Sequence, residues 1–389
     1  MGNTRSKLKV HLDPSFLPFF LDKYEGEHEY FLLSFTKKVF ESGCCEVVDL
    51  SGERYTNIEL LAFIARLRNL KDRKHVIRRE IDNGSTQFNL DALKGKTSNL
   101  VLIEVPSEQI EEISRTTGVL TSNSDQIKGK FLRLCLNNES YDSSRDFNIG
   151  PSNSDILYSQ FAEVSLPTKS ITIVDPYIGT WSTRKFRENL IPLIQNLFMS
   201  GIPAHRVHIT IISKVSNKEQ DWLTIPTDFI ENNLRLNEFE KCPYTNNRIR
   251  WRVKCTPQNI GAMLVEVFNN ISCRILFYDQ ESIEREIRNT ISNRNLIPLK
   301  NKIKEHMHDR LIFSDYFYGI SGRSFDYRIY WDYKKLSHAV RNRTVLNLKS
   351  VLFYQNDANF FDEMLSFIED LNELRKNETY SNFFLVEEF

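Results

Sequence analysis

Hydrophobic residues along this chain recur with two different periods, and segments of the two kinds follow each other in turn. Some segments place apolar residues three or four positions apart, which is the spacing of an amphipathic helix. Others are short apolar runs or alternate strictly between apolar and polar residues, which is typical of β-strands. Helical and strand segments that alternate in this way predict helices packed on a central sheet, so the predicted fold class is α/β.

The first part of the chain, residues 1–136, is predicted to form a separate and smaller α/β domain. Its predicted strands are Cys45–Leu50, Asn99–Val105 and Phe131–Leu136, and its predicted helical segments are Tyr30–Glu41, Thr56–Leu70 and Glu108–Ser114. No motif in it points to chemistry, so we expect it to sense a signal or to dock a protein partner. Residues 137–154 are rich in Asn, Ser and Asp and contain a glycine and a proline, which predicts a linker.

The second part, residues 155–350, is predicted to form one larger domain. Its predicted strands are Ser170–Val174, Arg206–Ile212, Arg248–Lys254, Asp309–Phe313, Tyr316–Ile320 and Asp326–Trp331. Its predicted helices are Arg184–Phe198, Asp221–Leu236, Thr256–Asn269 and Ser282–Ile291. Residues 351–389 are predicted to form an acidic C-terminal helix, Phe360–Lys376, and a tail.

The 389-residue chain carries 51 basic and 51 acidic side chains, so its net charge excludes no class of partner. The charges are unevenly distributed: residues 241–350 have 20 Lys and Arg against 10 Asp and Glu, whereas residues 351–389 have 2 against 9. A basic module beside an acidic tail favours a phosphate-bearing ligand. A solvated surface whose charges cancel between neighbouring domains explains the same distribution, and charge alone does not separate the two interpretations.

Composition excludes several other classes of protein. With 27 Phe and 15 Tyr, the chain can bury a core, which excludes disorder of the whole chain. No apolar stretch approaches the roughly 20 residues of a membrane-spanning helix, and the chain does not open with an apolar secretory signal. The six cysteines form no C-x-x-C pair, so we expect no metal or other cofactor, and the thiols fit a reducing, cytoplasmic location.

The segment that carries chemistry lies between residues 305 and 327. His308, Arg310 and Asp315 have the spacing H-x-R-x-x-x-x-D, and Ser321-Gly322-Arg323-Ser324 follows as a turn rich in glycine and hydroxyl groups. Residues two apart on a strand face the same side, so His308 and Arg310 are expected to lie together. A histidine beside a cation suits a phosphate ester, because the cation neutralises the oxyanion while the imidazole attacks phosphorus or transfers a proton.

These motifs resemble the phospholipase D superfamily, whose signature is H-x-K-x-x-x-x-D followed by a glycine-rich turn with an asparagine. The resemblance is closest to its HDR branch, the phospholipase D-like C-terminal domain of the MIT-domain proteins that work with ESCRT-III. That branch has, in order, a strand ending in Asp-Pro-Tyr-Ile, a helix, the His-Asp-Arg strand and a Gly-Arg turn ending in Asp-Tyr. Here the order is Asp175-Pro176-Tyr177-Ile178, the helix from Arg184, His308-Asp309-Arg310 and Gly322-Arg323-Ser324-Phe325-Asp326-Tyr327, within residues 165–335.

The resemblance implies an α/β/α sandwich for the second domain and metal-independent hydrolysis of phosphodiesters with a histidine nucleophile. It implies catalytic roles for His308, Arg310, Asp315 and Ser324, and phosphate-binding roles for Asp309, Gly322, Arg323, Asp326, His306, Asp175 and Tyr177. This chain departs from the family pattern in three ways: an arginine replaces the catalytic lysine, the asparagine of the turn is missing, and only one H-x-R motif is present. Because hydrolysis in the superfamily uses two such motifs, the single copy implies a homodimer with its two His308 side chains facing each other.

Two functions of different classes remain open at this point. One is a nuclease-type phosphodiesterase, acting as the effector of a prokaryotic defence system. The other is a non-catalytic module that binds anionic lipid at a membrane surface, a nucleic-acid backbone or a protein partner. Purely structural roles also remain for the same residues: His308 as a structural histidine of the sheet, Asp175 as the cap of the next helix, and His306 as a solvent-facing neighbour.

Overall fold

The computed structural model of this chain has a mixed α/β architecture with two large sheets. It describes residues 8–22, 25–40, 45–49, 76–78, 98–141, 144–149, 160–180, 189–198, 205–214, 222–226, 239–245, 248–254, 257–268, 271–278, 310–322, 325, 329–332, 337–340, 344–352 and 383–386. Within these residues, the first large sheet has five strands and the second has eight. No helix in this part of the chain is both long enough and apolar enough to cross a membrane.

The first sheet is parallel throughout and has the strand order β3-β2-β1-β4-β5. Its strands are β1 Leu8–Leu12, β2 Cys45–Asp49, β3 Val76–Arg78, β4 Ser98–Leu102 and β5 Leu120–Ser122. The helices of this unit are α1 Leu17–Leu21, α2 Glu27–Phe35, α3 Ser107–Thr117 and α4 Ile127–Leu134, and a π-helical turn, Thr36–Phe40, continues α2. Parallel neighbours need a crossover connection, and α3 supplies it between β4 and β5.

Aromatic side chains form much of the core of this first unit. Phe31 and Phe35 lie four residues apart on α2, so both face the same side of the helix. Both are fully buried, and their rings lie 5.8 and 4.9 Å from the ring of Phe131 on α4. Tyr141 extends the cluster, with its ring 5.2 Å from that of Phe131. The helix predicted over Tyr30–Glu41 is therefore confirmed for residues 30–40, as α2 and the π-helical turn, and Glu41 lies outside the described residues.

The second sheet is mixed and has the strand order β18-β12-β8-β7-β13-β14-β17-β6. Its strands are β6 Ser144–Ile149, β7 Ser170–Val174, β8 Val207–Lys214, β12 Ile271–Tyr278, β13 Arg310–Ser314, β14 Phe317–Ser321, β17 Thr344–Ser350 and β18 Phe383–Val386. Strands β7, β8 and β12 are parallel, and β13, β14, β17 and β6 continue the sheet as antiparallel neighbours. Helices α5 Ile191–Phe198 and α6 Pro257–Val267 belong to the same part of the chain.

Two smaller sheets complete the described strands. Strands β9 Trp222–Pro226, β10 Phe239–Thr245 and β11 Arg248–Lys254 form an antiparallel sheet in which β11 is central. Strands β15 Ile329–Asp332 and β16 Ser337–Val340 form an antiparallel pair. The predicted strand Arg248–Lys254 is therefore confirmed, whereas the helix predicted over Asp221–Leu236 is wrong at its start, because that part is β9.

The structure corrects three other predictions. Phe131–Leu136 is not a strand but lies largely in α4, because Ile127, Phe131 and Leu134 form one buried helical stripe. The predicted linker 137–154 contains the edge strand β6, whose Phe147 and Ile149 are buried in the core. The acidic tail contains β18, which pairs with β12 at the opposite edge of the same sheet.

The helices predicted over Thr56–Leu70, Ser282–Ile291 and Phe360–Lys376 lie outside the described residues. The strand β1, which sequence patterning missed, is the centre of the first sheet. Its sequence, LKVHL, has buried residues at every position except Lys9. The buried His11 interrupts the apolar run that would have marked a strand, and its Nε2 lies 2.8 Å from Oδ1 of Asn99 on β4.

The two large sheets share one continuous hydrophobic core, and Tyr316 joins them by hydrogen bonds. The Tyr316 hydroxyl donates to the carbonyl oxygen of Asn99 at 2.7 Å and accepts from the backbone N–H of Leu120 at 2.9 Å. Complete burial raises the pKa of Tyr316 far above its ordinary value, so the hydroxyl keeps the proton that it donates. A side chain of the second unit, the part of the chain built on the eight-stranded sheet, thus holds the backbone of the first unit, which is built on the five-stranded sheet.

His205, which precedes β8, makes a second polar contact between the two units. Its Nδ1 lies 2.9 Å from the carbonyl oxygen of Arg115 in α3, and its Nε2 lies 2.7 Å from the carbonyl oxygen of Thr168. The ring lies directly against Gly118, the residue that ends α3 with a φ of 66°. Together, Tyr316 and His205 with their backbone partners form what we call the joint.

Gly319 on β14 marks the tightest packing within the second sheet. A Cβ atom there would lie 2.9 Å from Cγ2 of Ile312 and 3.1 Å from the Cδ1 atoms of Leu346 and Leu348. Gly319→Ala should therefore lower the free energy of unfolding by about 1–3 kcal/mol through overpacking, which urea denaturation measures. Gly129→Ala is the matched control, because nothing lies within 4 Å of its added Cβ. Alanine favours the helical conformation more than glycine, so this substitution should raise the free energy of unfolding by about 0.5–1 kcal/mol. Equal effects of the two substitutions would contradict the close packing at Gly319.

Candidate functional site

Strand direction brings three separate segments to one end of the second sheet. Strands β7 and β14 run in the same direction because both are antiparallel to β13. The residue after β7, Asp175, and the last residue of β14, Ser321, therefore lie at the same end. Strand β13 begins there with Arg310, whose partner across the ladder is Ser321. We call this end the site edge and define it by Asp175, Tyr177, Arg310, Ser321 and Gly322.

Asp175 connects the end of β7 to the turn that follows β14. Its side chain is fully buried. One carboxylate oxygen accepts the backbone N–H of Tyr177 and the other accepts that of Phe325, both at 2.9 Å. Hydrogen bonds to both oxygens stabilise the negative charge of a buried carboxylate, and they also fix the positions of the two N–H groups that donate them. Asp175 therefore holds the two motif segments together, as a positioning residue.

Tyr177 begins a short turn that is anchored on both sides. Its own N–H is held by Asp175, and Ile178, the next residue, is completely buried. The N–H of Gly179 then donates to the hydroxyl of Ser213 at 3.0 Å, and Ser213 is a buried residue near the end of β8. Backbone contacts before and after Tyr177 thus fix the direction in which its side chain leaves the sheet.

The side chains of Arg310 and Tyr177 contact each other at the site edge. The guanidinium carbon of Arg310 lies 5.2 Å from the centroid of the Tyr177 ring, which is cation–π distance. Arg310 is half-buried, and 48% of Tyr177 remains exposed. The contact orients the guanidinium, so the site edge carries an ordered cationic side chain.

Ser321 adds a polar group beside this cation. Its side chain is 2% exposed, and direct partners across a ladder project from the same face, so Ser321 shares a face with Arg310. Among the residues that the structure describes, the buried Oγ of Ser321 has no hydrogen-bond partner. Buried hydroxyls are rarely unsatisfied in native proteins. In the sequence, Ser321 is the first residue of the Ser-Gly-Arg-Ser turn, but only the three later residues of that turn were predicted to be site residues.

Asp315 does not join the other predicted residues. It follows β13, whose first residue is Arg310, so the other four residues of that strand separate the two, a distance of about 17 Å along the strand. Its carboxylate accepts hydrogen bonds from the hydroxyls of Thr168 and Ser170 and from the backbone N–H of Lys169. Burial lowers the pKa of Lys169, and the negative charge of Asp315 opposes that shift. Asp315 thus stabilises the start of β7, at the opposite end of the sheet.

The remaining predicted residues divide into one that the structure describes and six that it does not. Gly322 is exposed at the end of β14, and its N–H donates to the carbonyl oxygen of Val345 at 3.4 Å. His306, His308, Asp309, Arg323, Ser324 and Asp326 lie outside the described residues. Among the residues with a described position, no group of three or more His, Cys, Asp or Glu is arranged to hold a metal ion.

Comparison with known proteins gives no independent assignment of this arrangement. No protein-family model matches the chain. No curated protein and no solved structure matches it either. The interpretation of the site edge therefore rests on its own geometry and on the motifs of the sequence.

Proposed function

We propose that this chain is a phospholipase D-like protein that binds phosphodiesters at the site edge and cleaves them, acting as a nuclease-type effector of prokaryotic defence. One observation carries the proposal. The ordered Arg310 cation lies at the end of the sheet where the N–H of Phe325 donates a hydrogen bond to Asp175, at the end of β7. An anion at this edge would meet the Arg310 guanidinium close to the exposed residue Gly322.

The distribution of charge supports an anionic ligand. Arg310 belongs to the region 241–350, which contains 20 basic and 10 acidic residues. Lys214, an exposed residue at the end of β8, adds a cation at the same end of the sheet as Asp175, since β7 and β8 are parallel. Arg310 and Lys214 would attract phosphate-bearing ligands to this end of the sheet.

Catalysis in this proposal depends on His308, two residues before Arg310. The imidazole nitrogen attacks phosphorus, the bond from phosphorus to the leaving oxygen breaks, and a protonated His308 of a second copy donates its proton to that oxygen. Water, deprotonated by the same second histidine, then releases the phosphate from the first. The reaction needs two copies of the chain in a symmetric dimer, because each chain has one H-x-R motif.

The alternative function is binding without catalysis, to anionic lipid, a nucleic-acid backbone or a protein partner. The position of Asp315 favours it, because the carboxylate of the H-x-R-x-x-x-x-D spacing holds the start of β7 and not the site edge. The replacement of lysine by Arg310 favours it too, since a guanidinium holds phosphate well but differs from an ammonium in geometry and proton affinity.

Arg310→Gln tests the phosphate site that both functions share. We expect affinity for a labelled oligonucleotide to fall about tenfold or more, and the slope of log affinity against log salt to decrease by about one, because one phosphate contact is lost. Fluorescence anisotropy across a salt series measures both quantities. Arg133→Gln is the matched control, since it removes the same charge from an exposed position on α4 of the first unit. Equal binding by the wild-type protein and Arg310→Gln would contradict the proposed site.

A further inference from the structure

We propose that Tyr177 is a stacking platform for a nucleobase, so that the ligand of the site edge is an unpaired strand of nucleic acid. This inference rests on the proposed function and names its substrate class. In it, the Tyr177 ring takes the base while Arg310 takes the adjacent phosphate. One nucleotide then engages both members of the observed pair of side chains.

The exposure of Tyr177 is the first observation behind this inference. Most described aromatic side chains are buried or partly buried, and only Tyr30 and Tyr177 are largely exposed, at 55% and 48%. Tyr316 and Tyr318, in contrast, are almost completely covered. Tyr177 instead keeps about half of its surface open at the end of the sheet that carries Arg310.

The rigidity of the Tyr177 backbone is the second observation. Asp175 holds the N–H of Tyr177, the side chain of Ile178 is completely buried, and Ser213 holds the N–H of Gly179. An aromatic ring on an anchored turn loses little conformational entropy when a ligand stacks on it. Fixed aromatic rings beside cationic groups are how proteins bind single strands with little sequence preference.

Other anionic ligands would make fewer favourable contacts with Arg310 and Tyr177. An anionic lipid headgroup or an acidic peptide would contact Arg310 but would gain no stacking from Tyr177. A headgroup that carries its own cation would bring a second positive charge close to the Arg310 guanidinium, whose carbon already lies 5.2 Å from the centroid of the Tyr177 ring. A nucleic-acid duplex must first unstack a base before it can reach the ring, which costs a few kcal/mol. An unpaired strand offers both the phosphate and an accessible base.

The test compares ligands that have the same charge but differ in their bases. The probes are a fluorescein-labelled oligothymidylate of about 12 nucleotides, an abasic strand of the same length, and the corresponding duplex. Anisotropy titrations use the wild-type protein, Tyr177→Ala, Tyr177→Phe and Tyr30→Ala, with melting temperatures recorded for all four. Tyr30→Ala is the matched control, because it removes an equally exposed tyrosine from the first unit.

We expect wild-type protein to bind the base-containing single strand at least fivefold more tightly than the abasic strand. Tyr177→Ala should lose about tenfold or more in affinity for the base-containing strand and change little toward the abasic strand, while Tyr177→Phe and Tyr30→Ala bind like the wild type. Equal wild-type affinity for the two strands would overturn the inference and leave the proposed function standing. Equal losses toward both strands in Tyr177→Ala would also overturn it, because Tyr177 would then act only by orienting Arg310. Absence of binding to every strand would overturn the proposed function itself.

Discussion

His308→Ala should abolish hydrolysis of phosphodiesters while oligonucleotide affinity stays within a few-fold of the wild-type value. The nucleophile is then lost, but Arg310 and Lys214 remain at that end of the sheet to hold the ligand. We expect turnover to fall by about a thousandfold or more. Cleavage of labelled single-stranded DNA and RNA in the presence of EDTA measures turnover without interference from metal-dependent contaminants.

Three measurements on the same His308→Ala protein separate the possible roles of this residue. Loss of turnover with retained affinity identifies a nucleophile. Weaker affinity in a protein whose wild type shows no turnover identifies the binding module. A lower melting temperature with unchanged affinity identifies a structural histidine. Full turnover in His308→Ala would contradict the mechanism, and so would activity from a protein that light scattering shows to be strictly monomeric.

Gly118→Ala should be the most destabilising small substitution in the described part of the chain. Gly118 has a φ of 66°, and an added Cβ would lie 2.4 Å from Nε2 of His205. The left-handed backbone costs about 1–2 kcal/mol for a residue with a side chain, and displacing the ring adds about 1–3 kcal/mol. Urea denaturation should therefore show a loss of roughly 2–5 kcal/mol.

Gly118→Ala in a His205→Ala background is the matched control for this prediction, because the backbone at residue 118 is the same and only the ring is removed. In that background the substitution should cost only the backbone contribution of about 1–2 kcal/mol. The difference between the two costs then measures the contact of His205 with Gly118. If Gly118→Ala costs the same with and without the His205 ring, His205 does not pack against Gly118 and the joint is wrongly described.

The fold could be predicted from the sequence where apolar residues follow one period without interruption. Ser170–Val174 is such a run, and it is β7. Phe131–Leu136 was assigned wrongly because its alternating residues also fit a helical stripe that starts earlier, at Ile127. Strands β6 and β18 were missed for another reason: each lies at an edge of the sheet and depends on one neighbouring strand for its hydrogen bonds.

The candidate site could be predicted only in part, because the order of motifs along the chain does not determine which residues lie side by side in the sheet. The sequence pointed to Asp175, Tyr177, Arg310 and Gly322, and strand direction brings these residues to one edge. It also grouped Asp315 with them on motif spacing alone, although the predicted strand Asp309–Phe313 already separated Arg310 from Asp315, as β13 does in the structure. The positioning role of Asp175 depends on Phe325, which is 150 positions away, and no local pattern announces such a contact.

The hairpin formed by β13 and β14 has a mechanical consequence. Its turn, Asp315-Tyr316, reaches the first sheet through the Tyr316 hydroxyl, whereas its open end carries Arg310 and Ser321. A two-stranded ribbon with packed neighbours on both sides resists bending. A displacement of the first sheet at Tyr316 would therefore be carried along the hairpin toward Arg310 at its open end.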